Sequence, residues 1–196
     1  MKIGVFGGSF DPIHTGHAII AQHIIASGAV DRLWLMVSPV NPLKAGRERQ
    51  VTDADRLRMV EAVSRPMDGV ETSAFEFTMP KPSYTVDTLE ALQAKFPDDE
   101  FHLVIGADNW KVFGQWRNHE EILAKYHVLV YPRLGHEVVI PAHLADRVTL
   151  IDAPVIELSS TEIRRRLAEG QSVRYYVPDA VLSYIEEKRL YRKQPL

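Results

Sequence analysis

The sequence contains no cysteine, which excludes disulfides, thiolate metal sites and thiol nucleophiles. It also lacks any apolar run near the roughly 20 residues that a membrane-spanning helix needs, so no membrane partner is expected. Positive charge is not in excess: 23 Lys and Arg stand against 26 Asp and Glu, a net charge of −3. That balance argues against a general nucleic-acid binder. It leaves room for a phosphate-rich small substrate, since a pocket needs only a few local cations and backbone donors. No internal repeat or low-complexity segment is visible. Residues 1–8 have neither the long apolar stretch nor the small-residue cleavage site of a secretory signal, so the expected compartment is the cytoplasm.

What is present is a chain of 196 residues, long enough for one domain with a sizeable core and short for two. Apolar runs alternate with helical patterns. Strands are expected at 3–6, 33–37, 70–77, 101–105, 127–131 and 147–151. Helices are expected at 15–29, 52–64 and 84–96, with another before 127 and two at the end of the chain. Such alternation implies an α/β fold, a doubly wound and mostly parallel sheet with helices on both faces. Ligands collect beyond the carboxyl ends of its strands. One domain over 1–196 is expected, with closing helices at about 159–192 packed upon it. Residues 41–50 read either as a mobile cover closing over a ligand or as a solvated surface loop.

The first chemical signature follows the first strand: Gly7-Gly8-Ser9-Phe10-Asp11-Pro12-Ile13-His14-Thr15-Gly16-His17. Gly7 and Gly8 allow a sharp turn and a close backbone approach to phosphate. The helix that follows offers unpaired N–H groups and a partial positive charge. His14 and His17, three apart, can aim at one target across a first helical turn, and Gly16 between them is read as leaving space for a triphosphate. Fixed donors at this place suit displacement at phosphorus, where negative charge develops and no protein nucleophile is required. The pattern is neither the dinucleotide fingerprint nor the Walker loop. It resembles the GxFDPxHxGH signature of the HxGH nucleotidyltransferases, which transfer AMP or CMP with release of pyrophosphate.

A second signature is Glu157-Leu158-Ser159-Ser160-Thr161-Glu162-Ile163-Arg164-Arg165-Arg166. Ser159 or Ser160 suits an N-cap, and Glu162 would complete a capping box with Ser159. The segment resembles the ISSTxIR motif of the same superfamily, with Leu158 in place of Ile. The resemblance implies that Ser160, Thr161 and Arg164 contact the ATP phosphates, together with Gly7, Gly8, Ser9, Phe10 and Gly16. Arg165 and Arg166 are expected to face solvent.

The middle of the chain bears on the acceptor. Pro82 to Leu89, Ile105 to Asn109 and Gly114-Gln115-Trp116 resemble segments of bacterial nicotinate-nucleotide adenylyltransferases, as does the stretch from Tyr176 to Tyr191. The resemblance implies AMP transfer from ATP to nicotinic acid mononucleotide, giving deamido-NAD and pyrophosphate. Trp116 suits stacking on a pyridine ring, or a place in the core. Tyr84 and Thr85, opening a helix, suit the ring's carboxylate. Asp108 suits a ribose hydroxyl or an amino group, a helix cap, or both. Arg133 is a candidate contact to acceptor, ribose or phosphate, or a surface residue. Lys44, in Asn41-Pro42-Leu43-Lys44, is a candidate phosphate ligand. His23, His102, His119, His127, His136 and His143 carry no motif and read as structural or exposed. Mg²⁺ is expected to arrive with ATP as co-substrate, without protein metal ligands. Assembly into a homo-oligomer is compatible with all of this.

Overall fold

A computed structural model describes residues 1–39 and 51–192. Six strands, β1 (Lys2–Gly8), β2 (Arg32–Val37), β3 (Val70–Ser73), β4 (Glu100–Gly106), β5 (His127–Tyr131) and β6 (Val148–Leu150), form one sheet in the order β3-β2-β1-β4-β5-β6. Every pairing is parallel. This is the Rossmann-like α/β arrangement expected from the sequence. The helices are α1 (Thr15–Ala26), α2 (Asp53–Ser64), α3 (Thr85–Lys95), α4 (Ala107–Lys111), α5 (His119–Lys125), α6 (Ser160–Ala168) and α7 (Asp179–Lys188). Among the described residues, no helix is long and apolar enough to cross a membrane.

Both faces of the sheet are apolar because both are covered, so period-two alternation divides one apolar run between two cores. Ile3 and Val5 of β1 join Leu103 and Ile105 of β4 on one face, under Leu89 and Leu92 of α3 and Ile122 of α5. Phe6, Leu33, Leu35 and Leu129 point the other way, into a cluster with Ile20 and Ile24 of α1 and Met59 and Val63 of α2. Ile163 of α6 and Val181 and Ile185 of α7 complete that second cluster. The closing helices therefore contribute to a core that the first third of the chain begins.

Three elements end earlier than the pattern suggests. The strand expected over 70–77 stops at Ser73, and a 3-10 turn, Phe75–Thr78, takes its place. Ser73 accepts from the Phe75 N–H at 3.3 Å, giving the backbone an alternative to the ladder. Helix α1 stops at Ala26, where the Ser27 hydroxyl donates to the Ile24 carbonyl and accepts from the Ala29 N–H. Gly28 then turns at φ +69°. Strand β6 occupies only the middle of 147–151. At the start of α2, Thr52 and Asp55 cap each other's backbone N–H groups reciprocally, at 3.1 Å each.

The order reverses at β1, which lies between β2 and β4, so the crossovers depart on opposite sides and open a crevice above its carboxyl end. Tyr191, almost at the end of the described chain, reaches this crevice and donates its hydroxyl to Asp11 Oδ1 at 2.8 Å. Burial, then the Asp11 carboxylate, hold its phenol well above the ordinary range. Tyr191→Phe should lower stability by about 1–3 kcal/mol, because a buried acceptor loses its donor. Urea denaturation checks this, and an unchanged midpoint would show the bond to be dispensable.

Candidate active site

Beyond β1 the chain makes an elbow. Phe10 sits at φ +43°, a left-handed conformation rare for a bulky residue, with its ring buried. The ring packs edge-on against Phe6 and His17, with centroids 5.9 and 5.1 Å away. Gly8 makes room for it, since a Cβ there would lie 2.9–3.1 Å from the Phe10 ring. Among the described residues nothing stands within 4 Å of such a Cβ at Gly7, which leaves the backbone open to a ligand there.

His14 is the N-cap of α1. Its N–H donates to Nδ1 of His17 at 3.2 Å, which makes Nδ1 an acceptor and places the proton of a neutral His17 on Nε2. The two imidazoles stack, with centroids 3.7 Å apart and planes 23° apart. The His14 ring lies over Gly16, where a Cβ would come within 3.0 Å of it. Gly16 thus accommodates the imidazole, where the sequence suggested open space for phosphate. His14 is 3% exposed. Burial, and then the positive charge of Arg133, lower its pKa to about 3, so it is neutral at physiological pH.

The second signature closes on the first. Ser159 caps α6 by accepting from the Glu162 N–H at 3.2 Å. The return half of the expected capping box is not made, because the Glu162 carboxylate pairs with Arg165 and Arg166. Arg165 is exposed as expected. Arg166 is not, since its guanidinium lies 4.7 Å over the Tyr176 ring. The Ser160 hydroxyl donates to the Pro12 carbonyl at 2.9 Å. Arg164 donates to the Asp11 carbonyl at 2.7 Å and to the Thr161 hydroxyl at 3.3 Å. These residues hold the elbow from behind.

On the other side of β1 lies a cavity of about 460 Å³. Gly7, Gly8, Tyr84, Thr85, Trp116 and Tyr131 are in its wall. The Trp116 ring is 5.3 Å from Phe113, and among the described residues its Nε1 has no hydrogen-bond partner. Tyr84 is the N-cap of α3 without a side-chain cap, so the first N–H groups of that helix are left for other acceptors. Phe6 and Tyr131 also line the recess that holds His14 and His17, so the two spaces adjoin.

Arg133 does not line the larger cavity. It stands with His14 and His17 in the smaller recess, 3.6 Å from Asp108 Oδ1. Asp108 does not cap α4. Gly106 is the N-cap, and Asp108 is in the first turn. Lys44 and residues 41–50 lie outside the described residues.

One residue that sequence reasoning missed is Arg56 of α2, fully buried. It donates to the carbonyls of Ser9 and Ser38 and pairs with Asp53, so it ties the elbow to the end of β2. Asp53 and Arg56 in a first helical turn look like an ordinary surface ion pair, and only the fold buries one of them.

The fold and the histidine-bearing elbow fit the nucleotidyltransferase class that the two signatures resemble. The cytidylyltransferase-like family model matches residues 5–166. A protein of Flavobacterium johnsoniae named "probable nicotinate-nucleotide adenylyltransferase" is 41% identical, over 98% of this chain and all of its own length. One of the same name from Bacteroides thetaiotaomicron is 43% identical over 95% of this chain and 92% of its own. The chain belongs to the nicotinate-nucleotide adenylyltransferase family. The fold matches that of a Plasmodium falciparum nicotinic acid mononucleotide adenylyltransferase solved with NaAD, at TM-score 0.81 and 18% identity over 97% of both chains.

His14 keeps its proton off in the native state while an unfolded chain binds one below about pH 6.5. Its contribution to stability is therefore complete above that pH and is lost as pH falls toward 3, at up to about 1.4 kcal/mol per unit. Imidazole NMR of the nucleotide-free protein at pH 5 should show His14 uncharged. A His14 resonance titrating near 6.5 would contradict the buried, stacked arrangement.

Proposed function

We propose that the protein transfers AMP from ATP to nicotinic acid mononucleotide, forming deamido-NAD and pyrophosphate in NAD biosynthesis. The observation that carries this reading is the stacked His14–His17 pair at the start of α1, adjoining a cavity walled by Trp116 and the first turn of α3.

A phosphate oxygen of the acceptor forms a bond to the α-phosphorus of ATP, and the bond from that phosphorus to the bridging oxygen breaks. The electron pair leaves with pyrophosphate. No side chain is consumed, so the residues act by position and charge. In its Nε2–H tautomer, His17 donates to the triphosphate where negative charge grows. His14, neutral and stacked beneath it, fixes the ring plane. Gly7 and Gly8 let backbone approach the phosphates, with Ser9 and the backbone of Phe10 beside them. Arg164, Ser160 and Thr161 hold the elbow in the shape that receives them, and Lys44 adds a cation.

Arg133 and Asp108 serve the nucleotide side, where Asp108 suits a hydroxyl or amino group. Trp116 stacks on the pyridine ring, and the N–H groups opening α3, at Tyr84 and Thr85, receive its carboxylate.

Mg²⁺ accompanies ATP. Among the described residues no group of three or more His, Asp or Glu is placed to hold a metal. In this reading the cation is held by the phosphates and water.

Two measurements test the reading. With ATP and Mg²⁺, pyrophosphate release should be far faster with nicotinic acid mononucleotide than with nicotinamide mononucleotide, because donors arranged for an anion lose their partner in the amide. Equal turnover would refute the acid preference, and no turnover of either would refute the acceptor class. His17→Ala should lower kcat by about 10²- to 10³-fold, the size of effect of losing one charge-stabilising donor. Full activity in that variant would remove His17 from the chemistry.

A further inference from the structure

A carboxylate that the reaction does not use is buried in the wall of the larger cavity. Glu76, in the 3-10 turn Phe75–Thr78, is 8% exposed. Both its oxygens are engaged: Oε2 accepts from the Ser83 hydroxyl at 3.2 Å and Oε1 from the Thr88 hydroxyl at 2.9 Å. The two donors are buried as well, at 5% and 2% exposure. They flank the beginning of α3, with Ser83 just before the N-cap Tyr84 and Thr88 one turn inside. The Thr88 hydroxyl is also 3.2 Å from the Tyr84 carbonyl, to which the Thr88 N–H donates at 3.0 Å. Glu76 thus reaches from the end of β3 and grips α3 on both sides of its first turn.

A buried charge needs such partners, because an unpaired carboxylate in this place carries a large desolvation penalty. The penalty also makes the grip directional: the carboxylate stays put only where both hydroxyls reach it. What it fixes is the orientation of the Tyr84–Thr85 segment, which faces the cavity beside Trp116. Both hydrogen bonds of Glu76 go to the start of α3, and neither goes to the elbow, the His14–His17 pair or α6. Arg117, the other charged side chain of the wall among the described residues, lies 4.7 Å over the Tyr84 ring and pairs with Asp87 at 3.4 Å, so it supports the same turn from the rim.

We propose that Glu76 is a positioning residue for the acceptor: its clamp on Ser83 and Thr88 sets the first turn of α3 so that the enzyme selects an acidic ring substituent. This rests on the reading that the acceptor is nicotinic acid mononucleotide.

The test is steady-state kinetics of Glu76→Gln and Thr88→Val, alone and together, with ATP and each of the acid and amide mononucleotides. Glu76→Gln should raise KM for nicotinic acid mononucleotide by about tenfold or more, with KM for ATP within about twofold, and should narrow the acid-over-amide ratio of kcat/KM by a similar factor. Thr88→Val should reproduce the pattern, and the double variant should be little worse than either, since one clamp is lost once. Thr88→Ser, which keeps the hydroxyl, should retain wild-type selectivity. Should Glu76→Gln fail to fold, the contrast between Thr88→Val and Thr88→Ser decides.

Unchanged acceptor KM in a folded variant overturns the proposal. So do parallel rises in KM for ATP and acceptor, which are the mark of general loosening. The wild-type panel separates the two readings: if the wild type ignores nicotinic acid mononucleotide, the acceptor assignment falls. If it turns that substrate over and the variants keep their selectivity, only the role of Glu76 falls.

Discussion

Residues 9–12 follow β1 and form an elbow whose backbone carbonyls are held by side chains from distant parts of the chain. Arg56 takes the carbonyl of Ser9, Arg164 that of Asp11 and Ser160 that of Pro12, while Tyr191 holds the Asp11 carboxylate. Buried carbonyls must find donors, and guanidinium groups supply them with charge-assisted strength. The left-handed Phe10 and the stacking of His14 on His17 depend on that scaffold. Helices α2 and α6, and the segment that follows α7, shape the site by holding this elbow.

The electrostatics follow from burial. Enclosing His14 makes its charged form costly, so it stands as a neutral imidazole stacked on His17, whose Nδ1 accepts from the His14 N–H. Donors of fixed direction need no reorganisation as charge develops nearby, which is what preorganised stabilisation requires. The cations stand around this pair: Arg133 beside it, Arg164 behind the elbow and Arg56 beneath it.

Much of this was legible in the order of residues. Continuous apolar runs such as Leu33–Val37 marked buried strands, and their alternation with helical patterns implied a parallel sheet with ligands beyond the carboxyl ends of its strands. The glycine turn with paired histidines named the chemistry. Reading was weaker where side chains compete with the backbone. Ser73 ended a strand early, and Glu162 turned to Arg165 and Arg166 in place of the cap of its own helix. Glu76 gave no signal at all, because a lone glutamate before a loop looks solvated until Ser83 and Thr88 fold over it.

The sequence alone determined the α/β class, the place of the glycine elbow and the pairing of imidazoles across one helical turn, because these are local: spacing, glycine conformational freedom and the alternation of strand and helix patterns act within short segments. Only the tertiary structure decided that Arg133 stands on the histidine side, that Ser160 and Arg164 grip the elbow's carbonyls, and that Arg56 and Glu76 are buried. Those outcomes depend on which surfaces meet when separate elements, with partners as many as 153 positions apart, are packed together, and on which buried polar groups then need partners. No local pattern encodes that need. It arises when water is excluded.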